Sequence, residues 1–154
     1  MMKENFIKLY ETSFKKNWDM PAMSDYSKKE RLQYKDIAFE VARLHILLEE
    51  AGIQKGDKIA LVGKNNIPWC VVYLASITYG AVIVPILQDF HPNNIQHIVH
   101  HSDSKLLFIS NSIWEKLEGE QLEHVEATFS TDSLSFDLLE EKENEGKFCE
   151  IHAT

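Results

Sequence analysis

The chain has 154 residues, 44% of them apolar and 10% aromatic, which is enough for one domain with a real core and excludes a disordered tail. Its net charge is −8, yet residues 115–145 hold 11 acidic side chains against Lys116 and Lys142, so that stretch carries −9 and the rest of the chain +1. A near-neutral body with an acidic last third has no basic stripe to neutralise phosphates, and no nucleic-acid partner is expected.

The opening residues Met-Met-Lys-Glu-Asn are polar, and polar side chains recur every few positions after them. Neither a signal-peptide core nor an apolar run of about 18 residues able to span a bilayer is present. Phe6, Ile7, Leu9, Tyr10 and Phe14 recur at three- and four-residue intervals, which predicts an amphipathic helical arm that packs on something larger. Residues 20–34 break into turn formers around the charged patch Ser27-Lys28-Lys29-Glu30-Arg31, as in a short hairpin. Ile37, Val41, Leu44 and Leu48 then form one stripe of a long helix, with Gly52 placed for a left-handed cap.

Ile59-Ala60-Leu61-Val62 is a short continuous apolar run, the form of a strand covered on both faces. Pro68 suits the first turn of the next helix, residues 69–79, which Gly80 ends. The alternation continues: strand 81–86, helix 93–101, strand 105–110, short helix 113–117, strand 125–130. A βαβαβαβ series predicts an α/β fold with an open, mostly parallel sheet and helices on both faces. The expected organisation is a helical arm and hairpin over 1–33, an α/β subdomain over 34–130, and an acidic extension over 131–154.

Gly63-Lys64 invites a phosphate-loop reading, which requires a glycine five residues earlier and a hydroxyl after the lysine. Those positions are Lys58 and Asn65, and Gly-x-Gly-x-x-Gly occurs nowhere in the chain. The glycines from Gly52 to Gly63 therefore read as punctuation around a strand. Cys70 and Cys149 have neither metal-ligand nor disulfide spacing, which fits a reducing cytoplasm.

Leu87, Gln88 and Asp89 follow a parallel strand at its carboxyl end, where open α/β sheets place ligands. The competing reading is an ordinary connection capped by Asn93 or Asn94. His97 and His101 are spaced to bite one metal across a helical turn, but no third ligand is near and a solvated face is favoured, so no metal site is expected. Trp69, Tyr73 and Ile77, at four-residue spacing, are read as helix positions covering a sheet in preference to an acyl pocket. The acidic stretch 115–145 is read as a solvated helical face in preference to a docking site for a basic partner.

The residues Tyr34-x-Asp36, Gly52-Ile53-x-Lys55-Gly56-Asp57-Lys58-Ile59-Ala60-Leu61, Asn66-x-Pro68-Trp69, Gly80-Ala81-Val82-Ile83-Val84-Pro85-Ile86 and His101-Ser102-Asp103-Ser104-Lys105-Leu106-Leu107-Phe108 come in a telling order. Over residues 34–110 this order resembles the N-terminal stretch of AMP-forming acyl-CoA synthetases, most of all the bacterial long-chain fatty-acid–CoA ligases. That resemblance implies a parent enzyme that joins a fatty acid to ATP as an acyl-adenylate, releases pyrophosphate and passes the acyl group to coenzyme A, with Mg²⁺ accompanying the ATP. It also implies a place for the loop of Leu87, Gln88 and Asp89 near the coenzyme A nucleotide. The family's Ser/Thr/Gly-rich phosphate loop, its Tyr-Gly-x-Thr-Glu segment, its ribose-binding aspartate and its catalytic lysine match nothing in these 154 residues. No catalytic residue is expected here, no cofactor is expected to bind this chain alone, and the sequence reads as a fragment without ligase activity. The expected partners are the remainder of a ligase or a second copy in a homo-oligomer, through apolar surface on the sheet edge or on the helices 69–79 and 93–101. The competing reading is a stand-alone interaction module of the same fold.

Overall fold

Ile59, Ala60, Leu61 and Val62 are all at 0% exposure, so the apolar run is covered on both faces. In the computed structural model, which describes residues 21–25, 30–117, 122 and 125–141, this run is the core of strand β3 (Lys58–Val62). The expected helical arm of residues 6–14 lies outside the described residues. Ahead of β3, strands β1 (Pro21–Asp25) and β2 (Glu30–Gln33) pair antiparallel as a separate two-stranded sheet. Helix α1 (Tyr34–Glu50) follows at once, and the Asp36 carboxylate accepts the Gln33 N–H at 2.9 Å, satisfying one orphan donor of its first turn. Gly52, at φ +78, ends it as expected.

The rest alternates: α2 (Ile67–Tyr79), β4 (Val82–Ile86), α3 (Pro92–His101), β5 (Leu106–Ile109), α4 (Asn111–Lys116), β6 (Ala127–Ser130) and β7 (Leu138–Glu141). Asn66 caps α2 by accepting the Trp69 N–H at 2.8 Å, and Gly80 closes it in the left-handed conformation, φ +99. The sheet order is β4-β3-β5-β6-β7, with β3 to β6 parallel and β7 antiparallel to β6. This is the open, mostly parallel α/β sheet that the alternation predicts.

Side chains alternate across it. Ile59, Leu61, Leu106, Phe108 and Phe129 join Leu44, Leu48, Val71 and Ala75 from α1 and α2 in one core cluster. Ala60, Val62, Leu107 and Ile109 join Ile95 and Val99 of α3 and Ile113 of α4 in a second, so helices cover both faces. The acid-rich stretch 115–145 departs from the expected helical face, because it supplies β6 and β7 instead. Ala127, Thr128 and Phe129 are buried, and their ladder with β7 outweighs the local helical preference of the surrounding glutamates. Large apolar side chains are exposed on α1 (Phe39, Ile46), at the sheet edge (Val82) and beyond it (Leu87, Phe90), and none on α2 or α3. Of the surfaces expected to be bare, the sheet edge is exposed at Val82, α2 keeps Trp69, Tyr73 and Ile77 part-buried, and α3 turns histidines and asparagines outward.

Candidate functional site

Strand order places the crevice. The chain passes from β3 to β4 on one side and then places β5 on the other side of β3, so the loops leaving β3 and β5 diverge. The helix after β3 packs in one core cluster and the helix after β5 in the other. Such a reversal leaves an opening at the carboxyl ends of the two strands, where ligands of open α/β sheets sit.

The groups there are polar and tightly joined. Gly63, at φ +150, leaves β3 in a conformation that side chains rarely adopt, and a Cβ on it would stand 3.5 Å from Thr131 Oγ1 and 3.7 Å from Ser110 Cβ. Asn66 Nδ2 donates to Thr131 O at 3.0 Å, tying the loop after β3 to the end of β6 across β5. Thr131 N–H donates to Ile109 O at 3.0 Å, and Ser110 N–H to Val62 O at 3.2 Å. Asp132 accepts the Asn111 N–H at 3.4 Å, while its own N–H donates to Ser130 Oγ at 3.1 Å. Lys64 and Asn65 stand exposed at the rim. This assembly offers hydrogen bonds and one ammonium, with neither a nucleophile beside a base nor paired carboxylates.

Leu87, Gln88 and Asp89 share this carboxyl edge but follow β4, the outermost strand, one strand away from Gly63. All three are exposed, Leu87 at 66%, and the Phe90 N–H donates to Leu87 O at 3.2 Å to close the turn. The cap of α3 is neither Asn93 nor Asn94: His91 takes that place, its Nδ1 accepting the Asn93 N–H at 3.2 Å, with Pro92 in the first turn. An imidazole acceptor ahead of a proline does what an asparagine would have done, two or three residues later.

His97 and His101 stack their rings at 5.6 Å on the exposed side of α3, and among the described residues no group of three His, Cys, Asp or Glu side chains could hold a metal. Trp69 and Tyr73 stack at 5.4 Å and pack against the first core cluster, the covering role read from their spacing. Cys70 is half-buried, and that burial pushes its thiol up, away from a reactive thiolate. The residues that sequence reasoning missed are Gly63, Asn66, Ser110, Thr131 and Asp132. Gly63 was legible only as part of an interrupted phosphate motif and Asn66 only as the first residue of Asn66-x-Pro68-Trp69, and the others carried no local signal.

An open, mostly parallel α/β sheet with a strand-order reversal and helices on both faces defines the doubly wound class of architecture. Within that class, the family of AMP-binding enzymes matches residues 10–151, and the chain belongs to it. YdaB of Bacillus subtilis (strain 168), named as an acyl-CoA ligase, is 33% identical over 87 residues, which are 56% of this chain and 17% of that protein. The Mycobacterium tuberculosis fatty acyl CoA synthetase superposes with a TM-score of 0.74 at 22% identity, over 84% of this chain and 27% of that one. Coronafacic acid ligase from Pectobacterium brasiliense superposes at 0.77 with 19% identity, over 92% of this chain and 28% of that one. The chain thus spans less than a third of the length of each of these proteins, and at such identities the two structures show the shared fold alone.

Proposed function

We propose that this chain is the N-terminal part of an ATP-dependent, AMP-forming fatty-acid–CoA ligase. The parent reaction joins the acid to ATP as acyl-adenylate with loss of pyrophosphate, and coenzyme A then displaces AMP to give acyl-CoA. The family match over residues 10–151 carries this reading, and the likeness to YdaB supports it. A cytoplasmic, long-chain enzyme is the finer form of the same proposal.

The described residues do not fit Mg²⁺ or the ATP phosphates. Among the described residues no cluster of ligating side chains could hold the metal, and the turn after β3 has Gly63 as its only glycine, too few for an anion cradle. The chain's own part is to supply the sheet and its carboxyl edge. Leu87, Gln88 and Asp89 are assigned to the coenzyme A side of the parent enzyme, and alone the chain is inactive.

The purified chain, given Mg-ATP, coenzyme A and acids from acetate to palmitate, is expected to release no pyrophosphate; turnover would end the claim of inactivity. The gene downstream of Thr154 is expected to encode a Ser/Thr/Gly-rich phosphate loop, and a stop codon there would count against the parent reading. A parent enzyme preferring acetate would remove the long-chain assignment.

A second reading, an interaction module that pairs with a ligase or with itself, is favoured by α1. Phe39 and Ile46, two helical turns apart on one face, are 62% and 59% exposed. Light scattering behind a sizing column tests it, and a strict monomer of 17.8 kDa that captures no ligase would count against it.

A further inference from the structure

Val82 donates its backbone N–H to Asp57 O at 2.8 Å, and the parallel ladder pairs Lys58 with Val82, Ala60 with Val84 and Val62 with Ile86. In a parallel ladder a residue that turns its N–H toward the neighbouring strand turns its C=O the same way, and the next residue turns both away. The bond from Val82 therefore sets the direction of every backbone group in β4. Val82, Val84 and Ile86 face β3, while Ile83 and Pro85 face outward.

Because β4 stands at one end of the sheet order, that outward side has no strand partner among the described residues. An open edge built from Val82, Ile83, Val84 and Ile86 is a β-rich, uncharged template for another strand. One of its two outward positions is a proline, which has no N–H to offer. The position matters: proline at 84 or 86 would delete a bond to β3, whereas at 85 it deletes only a donor aimed at solvent. Pro85 is itself exposed, so its ring stands in the path of an incoming backbone.

We propose that Pro85 is an edge guard, closing β4 against strand addition by a second copy of this chain. Any self-association is then left to helix faces, among them the Phe39 and Ile46 face of α1. The opposite edge is guarded by other means, since β7 ends in Glu140 and Glu141 and its ladder with β6 shifts register between Thr128 and Phe129.

Residue-resolved hydrogen exchange on the unaltered chain tests this directly. The Ile83 amide is expected to exchange on the order of a hundredfold faster than those of Val82, Val84 and Ile86. Ile83 protection equal to that of Val84 would overturn the proposal, since it would mean the edge is already occupied. In Pro85→Val, light scattering is expected to show roughly a doubling of mass or more over the unaltered chain at equal concentration, with Ile83 becoming protected. A folded Pro85→Val, judged by slow exchange at Leu107 and Phe108, that keeps the original mass and a fast Ile83 would overturn it too. Should that variant fail to fold, the exchange pattern of the unaltered chain decides alone.

Discussion

Nε2 of His45 on α1 lies 2.7 Å from Oγ1 of Thr78 on α2 and 3.1 Å from the backbone oxygen of Ala75. The Thr78 hydroxyl donates to Leu74 O at 2.7 Å, so its oxygen is free to accept and the imidazole N–H donates. One histidine thereby fastens α1 to the helix that covers β3. The Tyr79 ring stands 5.8 Å from it.

Acidification is expected to loosen this contact. Burial lowers the His45 pKa from its ordinary 6.5, against a smaller raising effect of the Ala75 backbone bond. The unfolded chain therefore takes the proton first, so the stabilisation is complete above about pH 6.5 and is withdrawn as the pH falls from there toward the folded value. Urea midpoints should be lower at about pH 5.5 than at about pH 7.5, and the difference should shrink in His45→Gln. An undiminished difference in that variant would assign the effect elsewhere.

Asp57 supplies a second, more acidic window. Its Oδ2 accepts the Gln54 N–H at 2.7 Å and a Lys105 ammonium bond at 3.1 Å. The Gln54 bond is the main cause that holds its pKa below the ordinary 3.8, with Lys105 assisting. This contribution is present above about pH 3.8 and is lost as the pH falls through the folded value. Because the backbone bond leads, Asp57→Ala should cost about 1–2 kcal/mol and Lys105→Ala less than about 1 kcal/mol. Equal losses in denaturant unfolding would contradict that ranking.

Asn66 performs two tasks that substitution can separate. Asn66→Ala removes both the cap of α2 and the bond to Thr131 O, and should cost about 1–3 kcal/mol. Asn66→Asp keeps an acceptor for the Trp69 N–H but sets a carboxylate oxygen against the Thr131 carbonyl, so an intermediate loss is expected in urea unfolding. A loss as large as that of alanine would make the cap irrelevant, and no loss at all would make the tie across β5 irrelevant.

The β3, β5 and β6 ends depend on aromatic packing beneath them. Phe108 stacks on Phe129 at 5.2 Å and meets Phe136 edge-on at 5.9 Å. Phe108→Ala should cost about 3–5 kcal/mol, read as a lowered urea midpoint. A loss below about 1 kcal/mol would show that the site collapses around the gap.

Most of this architecture was legible because its signals are local. Four apolar residues in a row can only be a strand covered twice when a helix pattern precedes and follows them, and Gly80 stops α2 within its own turn. β7 was illegible for the opposite reason. Leu138 and Leu139 are half-buried and Glu140 is exposed, so no alternation marks the strand, and its pairing with β6 is set by tertiary contact. The site followed the same rule: the loop at Leu87 could be placed at a carboxyl end from the βα order. The reversal joining Gly63, Ser110 and Thr131 depends on which strands are neighbours, and the order of elements along the chain does not state that.

The two core clusters share the strand backbones and no side chains. Ile59 and Leu61 belong to one, Ala60 and Val62 to the other. Losses at Phe129 and at Leu107 should therefore sum, where losses at Phe129 and Phe108 should not. The sheet acts as a partition between two separately exchangeable half-interiors. A chimaera that takes its α1 and α2 face from one relative and its α3 and α4 face from another is therefore expected to fold wherever the strands keep their register.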